Sequence, residues 1–480
     1  MGQNQKGSKV YLVSIVMVAV LGGLLFGYDT AVISGAEKGL QAFLRGATDF
    51  EYTDFMHGLT SSSALIGCII GSSLSGLFAM RLGRKNSLVF AGICFFISAW
   101  GSRFPESWIF SNGNPSLSLL VVFNLYRVLG GIGVGMASAI CPMYIGEVAP
   151  SNIRGMLVSW NQFAIIFGQL VVYFVNFIIL GGHSNPIYNA AGAIANMADA
   201  QWTITTGWRY MFGSECIPAA LFTIFICFVP ETPRYLVMIK QDKKALDVLT
   251  RINGTEKAIE ILSDIKNTIS VKKEKLFSYG FMCIFIGIML SVFQQAVGIN
   301  AVLYYAPRIF QDMGMENPMV QTVIMGIVNI SFTLVAVFTV EKLGRKPLLI
   351  WGSIGMAIGA LGVAITFGNP SLNILTMVSI MIYSASFMFS WGPICWVLIA
   401  EIFPNTIRGT AVAIAVAFQW IFNFIVSSTF VPMFNMHLSH GDNFGHWFTY
   451  GIYGLICVIA AVFVWKLVPE TKGKTLEDMT

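Results

Sequence analysis

Three ionisable residues stand inside runs of otherwise apolar and small side chains. Asp29 lies in LLFGYDTAVI, Arg127 within 117–141 and Glu215 within 208–229. A carboxylate beside a fixed guanidinium stays charged, and exchanging that partner for dry surroundings favours the protonated form. The set reads as a proton switch, with Asp29 as the titrating acid, Arg127 as its partner and Glu215 as a modulator. The rival reading, a pair that only staples two helices, is weaker, because a buried ion pair is poor evidence of stability. A second set is suited to binding. Gln162, Gln169, Gln294, Gln295, Asn300, Asn329 and Gln419 are amides inside apolar runs, able to donate and accept hydrogen bonds at once. Gln162 and Gln169 are seven apart and share a helix face. Trp391, Trp420, Phe26 and Tyr304 add aromatic surface nearby. One such amide alone would read as an interhelical bond worth ~0.6 kcal/mol, whereas a set spread over several helices reads as a site.

These residues need membrane-spanning helices to hold them. Only 11% of the 480 residues are charged and 55% are hydrophobic, against about a quarter charged in soluble proteins. Twelve apolar runs follow one another: 10–35, 58–80, 87–105, 117–141, 156–180, 208–229, 277–304, 318–340, 347–368, 372–398, 410–433 and 446–467. Each is long and continuous rather than alternating, which predicts helices that cross ~30 Å of hydrocarbon. The first is too long for a signal peptide and lacks its cleavage site. Glycines such as those in GGIGVG (130–135) read as close helix packing, not a phosphate loop. The fold class is therefore an all-α membrane protein.

Charge sets the orientation. Of 29 lysines and arginines, 23 fall on the side of the termini, ten of them between Arg234 and Lys275. The positive-inside rule puts both termini and that segment in the cytoplasm. Counted along the helices at ~1.5 Å per residue, the three charged groups lie at similar depth, roughly 9 to 15 Å below the opposite face. The eight cysteines have no metal or CxxC spacing and read as small buried hydrophobes. His57, His183, His437, His440 and His446 sit in or beside polar loops, which argues against a buried histidine proton carrier. No metal, cofactor or nucleic-acid site is expected, and no nucleophile–base pair lies in a span, so no enzyme is expected either.

The chain also repeats. RLGRK (81–85) returns as KLGRK (342–346), GEVAPSNIRG (146–155) as AEIFPNTIRG (400–409), and PETPRYL (230–236) as PETKGKTL (469–476). The copies keep their order and side, so two six-helix bundles in parallel orientation are expected, with a substrate site between them near mid-membrane. The expected organisation is a first bundle over 1–230, a helical linker over 231–275 and a second bundle over 276–480. Thr232 before Pro233 reads as a helix cap.

The loop motifs, together with NQFAIIFGQ, QQAVGINAVLYYAP and SWGPICW, closely resemble the sugar porter family of the major facilitator superfamily. Bacterial D-xylose–proton symporters are similar over GGLLFGYDTAVISG. Met80 stands where that family often has an acidic residue, whereas the second copy keeps Glu341. The resemblance implies two pseudo-symmetric bundles of the major facilitator fold and a proton-coupled monosaccharide importer working by alternating access, with xylose first and glucose next. It also implies a bacterial inner-membrane location and a monomer as the working unit. Gln162, Gln294, Gln295, Asn300, Trp391 and Gln419 match positions that touch sugar in the family, and Phe26 and Tyr304 match a wall or gate. Proton-coupled members carry Asp and Arg at the positions of Asp29 and Arg127. A facilitative uniporter, or a sugar receptor without transport, is the alternative. A latch of Arg84, Glu147, Arg154, Glu231, Arg234, Glu341, Arg345, Glu401, Arg408 and Glu470 is expected to bridge the bundles when the transporter opens outward and to part when it opens inward.

Overall fold

The computed structural model describes residues 7–108, 113–150, 153–187, 194–269, 280–403, 407–436 and 444–470, without the side chains of residues 108, 268, 269, 341, 400, 401, 408 and 409. The first five apolar runs are α1 (Lys9–Arg45), α2 (Asp54–Arg81), α3 (Arg84–Arg103), α4 (Leu117–Val148) and α5 (Arg154–Leu180). The sixth comprises α6 (Met197–Trp202), a π turn (Thr203–Gly207), α7 (Trp208–Ser214) and α8 (Cys216–Ile226). The linker holds α9 (Pro233–Met238), α10 (Asp242–Asn253) and α11 (Thr255–Ile269). The seventh run comprises α12 (Phe281–Ala296), α13 (Ile299–Tyr304) and α14 (Ala306–Asp312). Then come α15 (Pro318–Leu343), α16 (Arg345–Thr366), the pair α17 (Asn373–Phe389) and α18 (Trp391–Ile402), α19 (Arg408–Phe434) and α20 (Phe444–Leu467). Among the described residues, ten helical runs are long and apolar enough to cross a bilayer; α3 and the broken sixth run fill the remaining two of twelve positions.

The breaks have local causes. Pro218 has no N–H for the Ser214 carbonyl, and the sixth run turns at Glu215, between α7 and α8. Gly298 sits at φ +89° between α12 and α13, and Pro307 opens α14 after a second break. Pro393 follows the break at Ser390 that separates α17 from α18. Thr232 caps α9 by accepting from the Tyr235 N–H at 3.4 Å.

The pairings repeat between the halves. In the first half α1 packs on α5, α2 on α4, α3 on α4 and α3 on α8. In the second, α12 packs on α19, α15 on α17, α16 on α17 and α16 on α20. The seam between halves is α2 against α19 and α5 against α15. In the glycine run of α4, a Cβ at Gly131 would sit 1.8 Å from the Ala64 carbonyl, which bears out helix packing. Five cysteines are buried as expected, while Cys227 is exposed near the end of α8.

The repeated loops explain their own motifs. Glu231 accepts from the backbone N–H groups of Arg84 and Lys85, each at 3.1 Å. Glu470 does the same for Arg345 and Lys346, each at 3.0 Å. Each glutamate thus caps the exposed N–H groups of a helix start. The preceding Gly83 and Gly344 share φ +89°, and a Cβ on either would press into that carboxylate.

Candidate functional site

α1 is the helix on which the site is built. It is continuous from Lys9 to Arg45, ten residues past its expected end. The end of this helix is therefore no measure of how deep Asp29 lies, yet the three charged groups do meet. Arg127 on α4 donates to Asp29 Oδ1 at 2.6 Å and to the Asp29 carbonyl at 3.2 Å. Asp29 is wholly buried and Arg127 nearly so. The guanidinium also lies 5.0 Å from the Phe212 ring centre on α7, a cation–π contact that helps hold a dry charge. Glu215 is buried, is within electrostatic reach of both Asp29 and Arg127, and has no hydrogen-bond partner for either carboxylate oxygen among the described residues. Tyr28, beside Asp29, bonds the Ser214 hydroxyl at 2.7 Å, which ties α1 to the turn that carries Glu215. Two carboxylates and one guanidinium share this pocket, a charge balance that one proton would complete.

On the same helix, Phe26 and Thr30 face a cavity between the halves. Nine expected residues line it: Phe26, Gln162, Gln169, Gln294, Gln295, Asn300, Tyr304, Gln419 and Trp420. Its amides are wired together. Asn300 donates to Gln295 Oε1 at 2.6 Å, Gln419 donates to Gln294 Oε1, and Gln294 donates to the Trp391 carbonyl at 3.1 Å. Gln169 Oε1, Gln419 Oε1 and the Trp420 indole N–H have no partner among the described residues, so they are available to a bound molecule. The Trp420 ring lies 5.5 Å from that of Phe26. Together they form an aromatic wall reaching from one half to the other.

Two expected residues are not on the wall. Asn329 is buried and accepts from Ser384 at 2.6 Å, an interhelical bond between α15 and α17. Trp391 turns its indole toward α16, donating to Ser353 at 2.7 Å and to the Leu349 carbonyl at 3.2 Å. Thr30, Asn423 and Trp396 line the cavity unforeseen. Asn423, four residues after Gln419 on α19, could have been found by extending that helix face. The histidine expectation fails at His57, which is wholly buried and bonded to Glu37 at 3.0 Å.

The latch residues that are described make contacts within one half. Arg84 pairs with Glu147 at 2.7 Å, Glu231 caps α3, and Glu470 caps α16 through the Arg345 N–H. Burial pushes the Glu231 carboxyl above the ordinary glutamate range, while its three backbone N–H donors and Arg84 pull the other way. Arg154 and Arg234 are exposed and make no ion pair among the described residues. The side chains of Glu341, Glu401 and Arg408 lie outside the described residues. The Arg84–Glu147 pair and the caps made by Glu231 and Glu470 each stay within one half.

Comparison with known proteins accounts for this arrangement. A family model described as sugar (and other) transporter matches residues 15–480. The D-xylose–proton symporter of Escherichia coli is 46% identical over 99% of this chain and 96% of its own length. The glucose facilitated diffusion protein of Zymomonas mobilis is 33% identical over 99% of this chain and 98% of its own. The inward-open structure of the E. coli xylose transporter superposes with a TM-score of 0.83 at 46% identity, covering 98% of this chain and 99% of that one. The fold is that of the twelve-helix major facilitator transporters, in two pseudo-symmetric bundles. The chain belongs to the sugar (and other) transporter family.

Proposed function

We propose that the protein imports a monosaccharide together with a proton by alternating access, with D-xylose the first substrate to test and glucose the second. The observation that carries this reading is that α1 bears both machines: Asp29 faces Arg127 on one side, while Phe26 and Thr30 face the amide-lined cavity on the other. Charging or discharging Asp29 changes what holds α1 against α4, and any shift of α1 reshapes the cavity. Glu215 is the second acid of the pocket. The amides orient sugar hydroxyls, and Phe26 and Trp420 cover a ring face. The protein sits in the bacterial inner membrane with both termini in the cytoplasm, as the lysine and arginine asymmetry supports. The bundles are the segments 1–230 and 276–480, joined by the linker. The likeness to an inward-open structure supports a state in which the cavity faces the terminal side. The latch belongs to the opposite state, in which Glu147 and Arg154 would meet their repeats Glu401 and Arg408.

The facilitated-diffusion relative favours a second reading, a uniporter, and the buried Asp29–Arg127 pair speaks against it. One experiment separates the two. Proteoliposomes are given labelled xylose or glucose with and without an inward pH gradient. Wild type should accumulate sugar only with the gradient. Asp29→Asn should lose uphill accumulation and keep sugar exchange. Failure of wild type to accumulate sugar at any gradient, with Asp29→Asn behaving identically, would leave the uniporter reading standing.

A further inference from the structure

Six lysines and arginines stand apart from the terminal-face majority: Lys38, Arg45, Arg103, Arg127, Arg209 and Arg308. Arg127 belongs to the proton site. Lys38, Arg45 and Arg308 gather at the opposite mouth, where α1 and α2 of one half meet α14 and α19 of the other. Arg308 on α14 pairs with Glu37 on α1, and the same nitrogen donates to Gln41 Oε1 at 3.0 Å. Lys38 pairs with Asp312 at 2.7 Å. His57 bonds Glu37 through Nε2 at 3.0 Å and the Tyr52 hydroxyl through Nδ1 at 3.1 Å. Asp54 receives Arg45 at 2.6 Å and Asn435, just past the end of α19, at 2.8 Å. Glu37 and His57 are wholly buried, and Gln41, Lys38 and Arg308 nearly so.

We propose that Glu37–Arg308 and Lys38–Asp312 form a charge lock that holds this far mouth shut, and that it must open as a unit before the cavity can face that side. The proposal rests on the alternating-access reading. Its physical basis is the cost of a half-broken lock. A buried charge stripped of its partner is strongly destabilising, so fraying one bond is worse than hydrating all four groups together. The lock therefore behaves as two-state. Glu37 lies eight residues along the unbroken α1 from Asp29, so one rigid helix carries the proton site, a cavity wall and the lock. Removing one lock partner raises the energy of the closed state more than the open one, where the survivor meets water.

The test uses the full-length protein in nanodiscs, without sugar or a gradient. Spin labels are placed at Thr48 and Glu316, on opposite halves of the far mouth, in a Cys227→Ser background. Wild type should give mainly the short distance. Arg308→Gln and the milder Lys38→Gln, whose partner Asp312 is partly exposed, should each raise the long-distance fraction, by about tenfold for Arg308→Gln. The reversed pair Lys38→Asp with Asp312→Lys should restore the short distance. Unchanged distances in both single variants would overturn the lock, and so would a reversed pair as open as Lys38→Gln alone. The readout needs neither substrate nor proton coupling, so a failure of the importer reading would appear in the uptake assay and not here.

Discussion

The two mouths of the molecule use the same chemistry in opposite ways. At the terminal face, carboxylates and arginines tie elements within a half: Arg84 to Glu147, Glu231 to the start of α3, Glu470 to the start of α16. At the far face, beside bonds within a half such as Arg45 to Asp54, ties also cross from one half to the other: Glu37 to Arg308, Lys38 to Asp312, Asp54 to Asn435. Bonds within a half survive a rigid-body movement of that half, whereas bonds across the seam are made and broken by it. The terminal-face motifs therefore keep each bundle rigid in this state, and the far-face pairs record which way the molecule is closed. A transporter that rocks between two states requires both kinds.

The sharpest way to break this comparison is to wedge the seam without touching a charge. A Cβ at Gly58 on α2 would sit 2.2 Å from the Ser428 carbonyl on α19, next to His57. Backbone cannot yield there while the far mouth is shut. Gly58→Leu should hold that mouth open, with a long Thr48–Glu316 distance. Sugar uptake should fall by about a hundredfold, since ~3 kcal/mol of overpacking in one state alone shifts the balance that far. Normal uptake by this variant would mean that the seam does not close as the structure describes.

The terminal face should answer differently. Gly83→Ala places a side chain in a backbone region that suits glycine and 2.2 Å from Glu231 Oε2; at Gly344 the matching gap to Glu470 is 2.7 Å. We expect a loss of about 2–3 kcal/mol of stability for Gly83→Ala and a smaller loss for Gly344→Ala, read as lowered melting temperature. The far-mouth distance should stay at its wild-type value in both. A shift of that distance would show that the loops of the terminal face act across the halves, contrary to the contrast drawn above.

Much of this was legible in the sequence. Apolar runs announce spans because backbone groups in hydrocarbon must be satisfied within a helix. The repeats announce two like bundles, and a lone Asp29 in an apolar run asks for a cation, which Arg127 supplies. Nothing in the sequence singles out Glu37, Lys38 and Gln41, because their partners Arg308 and Asp312 lie some 270 residues away. His57 lies beside a polar loop in the sequence, and its burial comes from packing against Glu37 and Tyr52. Trp391 and Asn329 do not line the cavity, because residue type says that a ring or an amide is present, and not which way it points. That direction is set by the break at Ser390 for the first and by the Ser384 hydroxyl for the second.

The linker provides the weakest member of the series and a useful baseline. Lys266 on α11 meets Asp242 on α10 at 2.6 Å, a bond as short as that of Arg127 to Asp29. Its side chains are 48% and 44% exposed, against 3% and 0% for the buried pair. Distance alone would rank them equal. Water screens the exposed pair, and holding two long side chains in place costs entropy, so such a bond is worth about 0–1 kcal/mol. Lys266→Ala should therefore leave uptake, melting temperature and far-mouth distance within error of wild type. A clear loss of stability would mean that α10 and α11 bear on the bundles through this contact, and that burial is a poorer guide to the strength of these charges than the two mouths suggest.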